Sequence, residues 1–331
     1  MKNSRCMNIG QKLIALLGLL AVLTALPTKA AEPPAGPITK GLRIFTCGHS
    51  FHVWVAPLLD EIAKSAGLQE HQLAGVSGIG GSQVIQHLET VDDKHQAKAA
   101  LTAGNLDVLT LSPIWLPDEG IDQFAELGLQ HNPRIRITIQ ENWLPNDTYE
   151  PKYPLDVKKQ VNHNATDLSE LRTKNAQYCH DIEAYCGAIN KRLGKDVLLV
   201  VPVGEASIAL REKIVAGQAP GLKKQWDLFR DNWGHAQAAL QVLDGYCHFA
   251  VIYRRSPVGL PVPEMLAKYR RITGDVEYRK LGWRPSAEDL ARGEALTAEQ
   301  TEQLNRLLQE LAWQTVTHHP MTGLDASSPA Q

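Results

Sequence analysis

The chain has 331 residues, 44% of them apolar and 21% charged, with a formal charge of −2. That balance belongs to a globular protein with material for one large core or two modest ones, and it excludes wholesale disorder. The charge becomes −6 once a leader with four basic and no acidic residues is removed, which excludes a nucleic-acid binder that neutralises phosphates with a basic face.

That leader comes first in chain order. Lys2, Arg5 and Lys12 precede an apolar run from Leu13 to Leu26, and Thr28-Lys29-Ala30 offers small residues for cleavage. The layout predicts a secretory signal over 1–30, because the run is short for a bilayer span of about 20 residues. The mature chain is then expected near Ala31, periplasmic or extracellular, with no membrane span and no lipid anchor. Residues 31–41, Pro-rich at their start, read as a flexible lead-in.

Beyond them, strand patterns at Leu42–Cys47, Gln72–Val76, Leu106–Leu111, Ile135–Ile139 and Val197–Val203 alternate with helical ones. The helices are expected at Val53–Ala66, Asp93–Ala103, Gly120–Gln130 and from about Asp167 to Leu193. Runs such as Val197–Val203 lack polar alternation, as strands covered on both faces do. The alternation predicts a three-layer α/β/α domain on a mostly parallel, doubly wound, flavodoxin-like sheet. Ala236–Tyr253 reads as a buried helix and Arg270–Trp283 is open as to type. Thr297 and Gln300 form a capping box before a stripe of Leu304, Leu307, Leu308 and Leu311, a C-terminal helical appendage. Four cysteines follow the leader: Cys47, Cys179, Cys186 and Cys247. Cys179 and Cys186 share one predicted helix, about 10 Å apart along its axis and too far to bridge. With no Cys-x-x-Cys spacing, the four read as buried free thiols, although export would permit disulfides.

In parallel sheets ligands gather beyond the carboxyl ends of the strands. The polar residues there are His49, Ser50 and His52 after the first strand, and Ser77, Gly78, Gly80, Gly81 and Ser82 after the second. Ser112 and Trp115 follow the third, Gln140, Glu141, Asn142 and Trp143 the fourth, and Gly204, Glu205 and Ser207 the fifth. Ser50 fits two roles, a helix N-cap and a nucleophile in the positive end of the helix dipole, and both are expected of it.

Gly48-His49-Ser50 is not the Gly-x-Ser-x-Gly elbow, since His52 stands at its second glycine. The stretch resembles the first block of the SGNH, or GDSL-type, esterase/lipase superfamily, whose nucleophile follows the first strand. The likeness runs over 42–261, leaving 262–331 as an extension, and rests on order and spacing. As a whole it is similar to exported SGNH-type proteins of environmental bacteria such as planctomycetes. It implies a Gly80 or Gly81 amide in the oxyanion hole. Asp231-Asn232-Trp233-Gly234-His235 stands where the family has Asp-x-x-His, which implies His235 as base and Asp231 as its orienter. A serine hydroxyl needs such a base, and a neutral imidazole needs an acceptor to hold its tautomer.

Two departures stand out: the Asp–His spacing is one residue longer, and the third block, Gly-x-Asn-Asp, is replaced by Ser112-Pro113-Ile114-Trp115. Asn142, or Gln140 beside it, is the substitute expected for the lost oxyanion donor. Asp244 and His248 have the same spacing but lie inside a predicted helix, so His235 is preferred. His49, His52, Trp115, Gln140 and Trp143 are the expected substrate contacts. No metal or other cofactor is expected: His318-His319 lacks a neighbouring carboxylate in sequence and reads as a polar tail. The function implied is a serine esterase that removes small acyl groups, acetyl first, from a carbohydrate. An inactive saccharide-binding or interaction module, or an acyltransferase using the same residues, are the alternatives. The partner is a small-molecule or polysaccharide ester.

Overall fold

The computed structural model describes residues 36–90, 93–149, 161–272 and 286–324. The predicted signal and most of Arg270–Trp283 lie outside them. Five parallel strands form the sheet: β1 (Arg43–Gly48), β2 (Gln72–Gly78), β3 (Val108–Leu111), β4 (Arg136–Gln140) and β5 (Leu198–Val201). They lie in the order β2-β1-β3-β4-β5. The order reverses between β1 and β3, and a crevice opens beyond the carboxyl ends there.

Successive side chains of a strand point to opposite faces, so the uniformly apolar runs feed two cores. Ile44, Val108, Leu199 and Val201 face one core with α1 (Val55–Ser65), α6 (Val203–Val215), α7 (Ala238–Tyr253) and α10 (Ala298–His318). Phe45, Leu109, Ile137 and Val200 face the other, with α2 (Val84–Glu89), α3 (Ala97–Thr102), α4 (Glu119–His131) and α5 (Leu168–Leu193). This is the expected three-layer α/β/α arrangement. Two short helices, α8 (Glu264–Ala267) and α9 (Ala287–Arg292), and a ribbon of β6 (Arg270–Arg271) with β7 (Glu294–Ala295) lie between α7 and α10 in the chain.

The five strands and the long helices fall where the sequence patterns put them. Besides the short α8 and α9, two helices do not follow from the patterns. Helix α2 is one: its first amides, Val84 N and Ile85 N, donate to the Asp118 carboxylate at 2.5 and 3.0 Å, and the same carboxylate caps α4 through Gly120 N. The cap comes from a residue more than thirty positions away. Helix α6 was hidden because the apolar run continues past the strand; β5 ends at Val201 and α6 starts at Val203.

The C-terminal helix is present, capped by the Thr297/Gln300 box, and Leu304, Leu308, Leu311 and Val316 enter the same core as α7. Gly245 of α7 permits the approach of α1, since a Cβ there would stand 2.7 Å from Leu58 Cδ2. Met321 O accepts from Val200 N at 2.8 Å, which fastens the segment after α10 to β5. All four described cysteines are free, Cys179 half-buried and the other three buried.

Candidate active site

Beyond Gly48 the chain enters a turn, not a helix: His52 N and Val53 N both donate to His49 O at 3.0 Å, and α1 begins only at Val55 with Trp54 at its N-cap. Ser50 therefore does not cap the helix, contrary to the expectation, and its hydroxyl is directed elsewhere. Ser50 Oγ lies 2.8 Å from His235 Nε2, and His235 Nδ1 lies 2.6 Å from Asp231 Oδ2. A residue 185 positions away in sequence is thus brought to hydrogen-bond distance of Ser50.

The longer Asp–His spacing is absorbed by a turn. Asp231 Oδ1 accepts from Trp233 N and from His235 N, both at 3.1 Å, and Gly234 takes the left-handed φ of 87° that a side chain would resist. Oδ2 is left for the imidazole. Burial raises the Asp231 pKa, but the hydrogen bond and charge of His235 outweigh it and hold the carboxyl below the usual range. A carboxylate accepting at Nδ1 leaves Nε2 as the basic nitrogen facing the serine.

His235 is seated by aromatic rings. Phe51 meets its ring edge-on at 5.0 Å, and Trp143 stacks on Phe51 at 4.9 Å. Trp143 Nε1 donates to Gly234 O at 2.7 Å, which pins the loop that carries the histidine. The competing pair is elsewhere: Asp244 and His248 are fully buried inside α7, 3.3 Å apart, with His248 Nε2 3.0 Å from Gln140 Oε1. It has no route to substrate.

Above Ser50 and His235 lies a cavity of about 270 Å³. Gly81, Asn142 and His49 contribute to its wall, and Phe51, Ile114, Leu144, Pro145, Tyr149, Tyr178 and Trp233 make most of it apolar or aromatic. The Ser50 and Gly81 amides donate to no other group among the described residues. Gly80, next to Gly81, is not part of the wall.

Several expected contacts are placed differently. His52 is fully buried between Gln140 Oε1 (2.6 Å) and Thr110 Oγ1 (2.9 Å), and Gln140 Nε2 donates to Phe51 O and Asn142 Oδ1. Both belong to a network beneath the site and neither lines the cavity. Trp143 is buried in its stack, and Trp115 is half-buried outside the cavity wall. Ser77 and Ser82, also flagged at a strand end, hold the ring of His87 at 2.7 and 2.8 Å.

Asn142 reaches the wall, but its Nδ2 donates to Ser112 Oγ at 3.1 Å and Pro113 O at 3.0 Å, so its two amide hydrogens are committed within the protein. The oxyanion donor expected of it is engaged. His49 lines the cavity with Nδ1 accepting from Phe51 N and Nε2 3.2 Å from Ser112 Oγ. Burial, reinforced by His52, His87 and His235, lowers its pKa to about 3, so it stays neutral. Phe51, Tyr149 and Tyr178 were not singled out from the sequence. Tyr178 sits mid-helix in α5 at a position that reads as ordinary core, and only its place facing the crevice marks it.

No family model and no curated protein matches the chain. Among solved structures it is similar to a GDSL-like lipase from Parabacteroides merdae, at 14% identity and a TM-score of 0.39, covering 67% of this chain and 99% of that one. It is also similar to phospholipase A1 from Streptomyces albidoflavus, at 11% and 0.36 over 64% and 99% of the two chains. An extracellular lipase from Streptomyces rimosus follows at 12% and 0.31, over 52% and 83%. Likeness at this level adds nothing to the geometry, which carries the chemistry by itself.

Proposed function

We propose that the chain is an exported, SGNH-type serine ester hydrolase. The observation that carries this reading is the relay of 2.8 Å from Ser50 Oγ to His235 Nε2 and 2.6 Å from His235 Nδ1 to Asp231. Ser50 Oγ attacks the ester carbonyl as His235 Nε2 takes its proton, and Asp231 stabilises the imidazolium that forms. The amides of Ser50 and Gly81 hold the oxyanion. On collapse of the tetrahedral species His235 returns the proton to the departing alcohol. Water, deprotonated by the same imidazole, then releases the acyl group from Ser50.

The substrate is a small acyl ester, acetyl first, carried on a carbohydrate. In support, the cavity holds about 270 Å³, and Trp233, Tyr149 and Tyr178 supply aromatic surface of the kind that packs on sugar rings. The test is turnover of p-nitrophenyl acetate and labelling by a fluorophosphonate, with acetate release from acetylated oligosaccharides measured beside it. Ser50→Ala and His235→Ala are expected to lower kcat/KM by about 10⁴-fold or more, and Asp231→Asn by about 10³–10⁴-fold, with circular dichroism unchanged. A folded wild-type protein that takes no label at Ser50 would sink the enzyme reading in favour of a binding module. Acetate passed to an added sugar instead of water would make it an acyltransferase.

A further inference from the structure

On the opposite side of the β4 end from Asn142, a second group of ionisable side chains comes together from three elements. Glu141 directly follows β4, Glu183 lies on α5, and His319 follows α10. One ligand atom from each lies within 4.8 Å of the other two. His319 Nε2 is 2.9 Å from Glu183 Oε1 and 3.6 Å from Glu141 Oε2. They adjoin a cavity of about 300 Å³ that Glu183 and His319 line with Cys179, His180 and Glu205.

Proximity of acids is common, and the argument rests on Glu141. Its side chain is 0% exposed, and neither carboxylate oxygen has a hydrogen-bond partner among the described residues. A buried carboxylate left so is costly unless a cation compensates it. Glu183 and Glu205 stand on the adjoining cavity, and His319 Nε2, at 3.6 Å, lies beyond hydrogen-bond distance of Glu141 Oε2.

From this geometry we infer that Glu141, Glu183 and His319 form a binding site for a divalent transition-metal ion of the zinc type. Two carboxylates and an imidazole match the donors zinc accepts, and the imidazole disfavours calcium and magnesium, which take oxygen ligands. The two carboxylates would offset the charge of a dication. Binding at His319 Nε2 shifts the proton that this nitrogen now shares with Glu183 to Nδ1, so the imidazole stays neutral. The other ring nitrogen then carries a proton, and the long 3.3 Å bond from Met321 N to Nδ1 is given up. Glu183, with a side chain 29% exposed, is the entry point. The ion would tie the end of β4 to α5 and to the segment after α10. Asn142 and Tyr178, which line the Ser50 cavity, are the immediate chain neighbours of Glu141 and Cys179, so its role is to brace that wall. The sequence reading expected no metal because His319 has no acidic neighbour in the chain; the fold supplies two.

The test uses tag-free protein stripped with chelator and titrated with zinc sulfate and, separately, calcium chloride. Stoichiometry is read by calorimetry and stability by thermal denaturation. One zinc per chain is expected, with a rise in Tm on the order of 5 °C at a hundredfold excess over Kd. Calcium should bind at least tenfold more weakly. Glu183→Gln, Glu141→Gln and His319→Ala should each weaken zinc binding at least tenfold and cancel the rise in Tm. The partly exposed Glu183 variant remains informative if a buried one misfolds. No stoichiometric zinc in the wild type, or binding undiminished in Glu183→Gln and His319→Ala, overturns the site; calcium binding as tight as zinc overturns the assignment to a transition metal. None of these readouts depends on ester hydrolysis.

Discussion

Trp143 illustrates how a single side chain sets the position of another. Its ring stacks on Phe51, Phe51 meets His235, and its Nε1–H reaches Gly234 O, so both the imidazole and the loop beneath it are held. Trp143→Phe would keep the ring surface and delete the hydrogen bond. About 1 kcal/mol of stability should go with it, together with roughly a tenfold fall in kcat at little change in KM. Urea denaturation and steady-state kinetics would check this; an unaltered kcat would remove Trp143 from the positioning of His235. At this scale Ser50, Asp231 and His235 could be picked because the sequence resembles a known order of blocks, and the chemistry restricts the residue types that can fill it. Trp143 and Gln140 were picked too, as substrate contacts, because a strand end names the neighbourhood of a residue but not the side to which it points. The same gap hid Glu141 and His319.

Among the elements, the segment after β4 depends on a buried ion pair. Arg211 of α6 makes two bonds to Asp147, Nη1 to Oδ1 at 2.6 Å and Nη2 to Oδ2 at 2.9 Å, and His163 Nδ1 adds a contact at 2.8 Å. Burial raises the Asp147 pKa, but His163 and Arg211 together hold it far below the usual carboxylate range. Asn146 and Asp147 both take a left-handed φ, 53° and 51°, which non-glycine residues adopt only when neighbours enforce it. Pro145, Thr148 and Tyr149 of this segment are cavity wall. Arg211→Ala leaves the carboxylate buried and unpaired, and should cost about 3–5 kcal/mol and raise KM as the wall loosens. A loss under about 1 kcal/mol in urea denaturation would show that the pair does not hold the segment. None of this was readable in advance, since Asp147 and Arg211 lie 64 residues apart and α6 itself was hidden in an apolar run.

For the molecule as a whole, the buried histidines predict acid lability. Burial, the leading cause in each, lowers the pKa of His49 to about 3 and of His52 and His87 to about 4, and lowers those of His71 and His248. In the unfolded chain each takes a proton near pH 6.5. Between about pH 6.5 and 4 the unfolded state therefore binds more protons, so stability is kept above that window and falls as pH drops through it. Asp118, Glu141, Asp227 and Asp244, whose pKa values burial raises, act in the opposite direction but are fewer than the five histidines. The midpoint in urea should drop steeply from pH 6.5 to 4.5. His87→Gln should flatten the slope by about 1.4 kcal/mol per pH unit, and an unchanged slope would count against burial of a neutral ring there. By itself the sequence determined the five strands, the long helices and the capping of α10, and a resemblance in block order pointed to Ser50, His235 and Asp231 as the groups to look for. Those depend on local periodicity, local capping, and the few residue types able to carry the chemistry. The tertiary structure alone decided that Asp118 starts α2, that α10 shares the core of α7, that Asn142 is already engaged, and that Glu141 is buried without a partner beside His319. Each of these is a meeting of groups distant in the chain, and the direction of a side chain across a sheet is set by packing that no local pattern records.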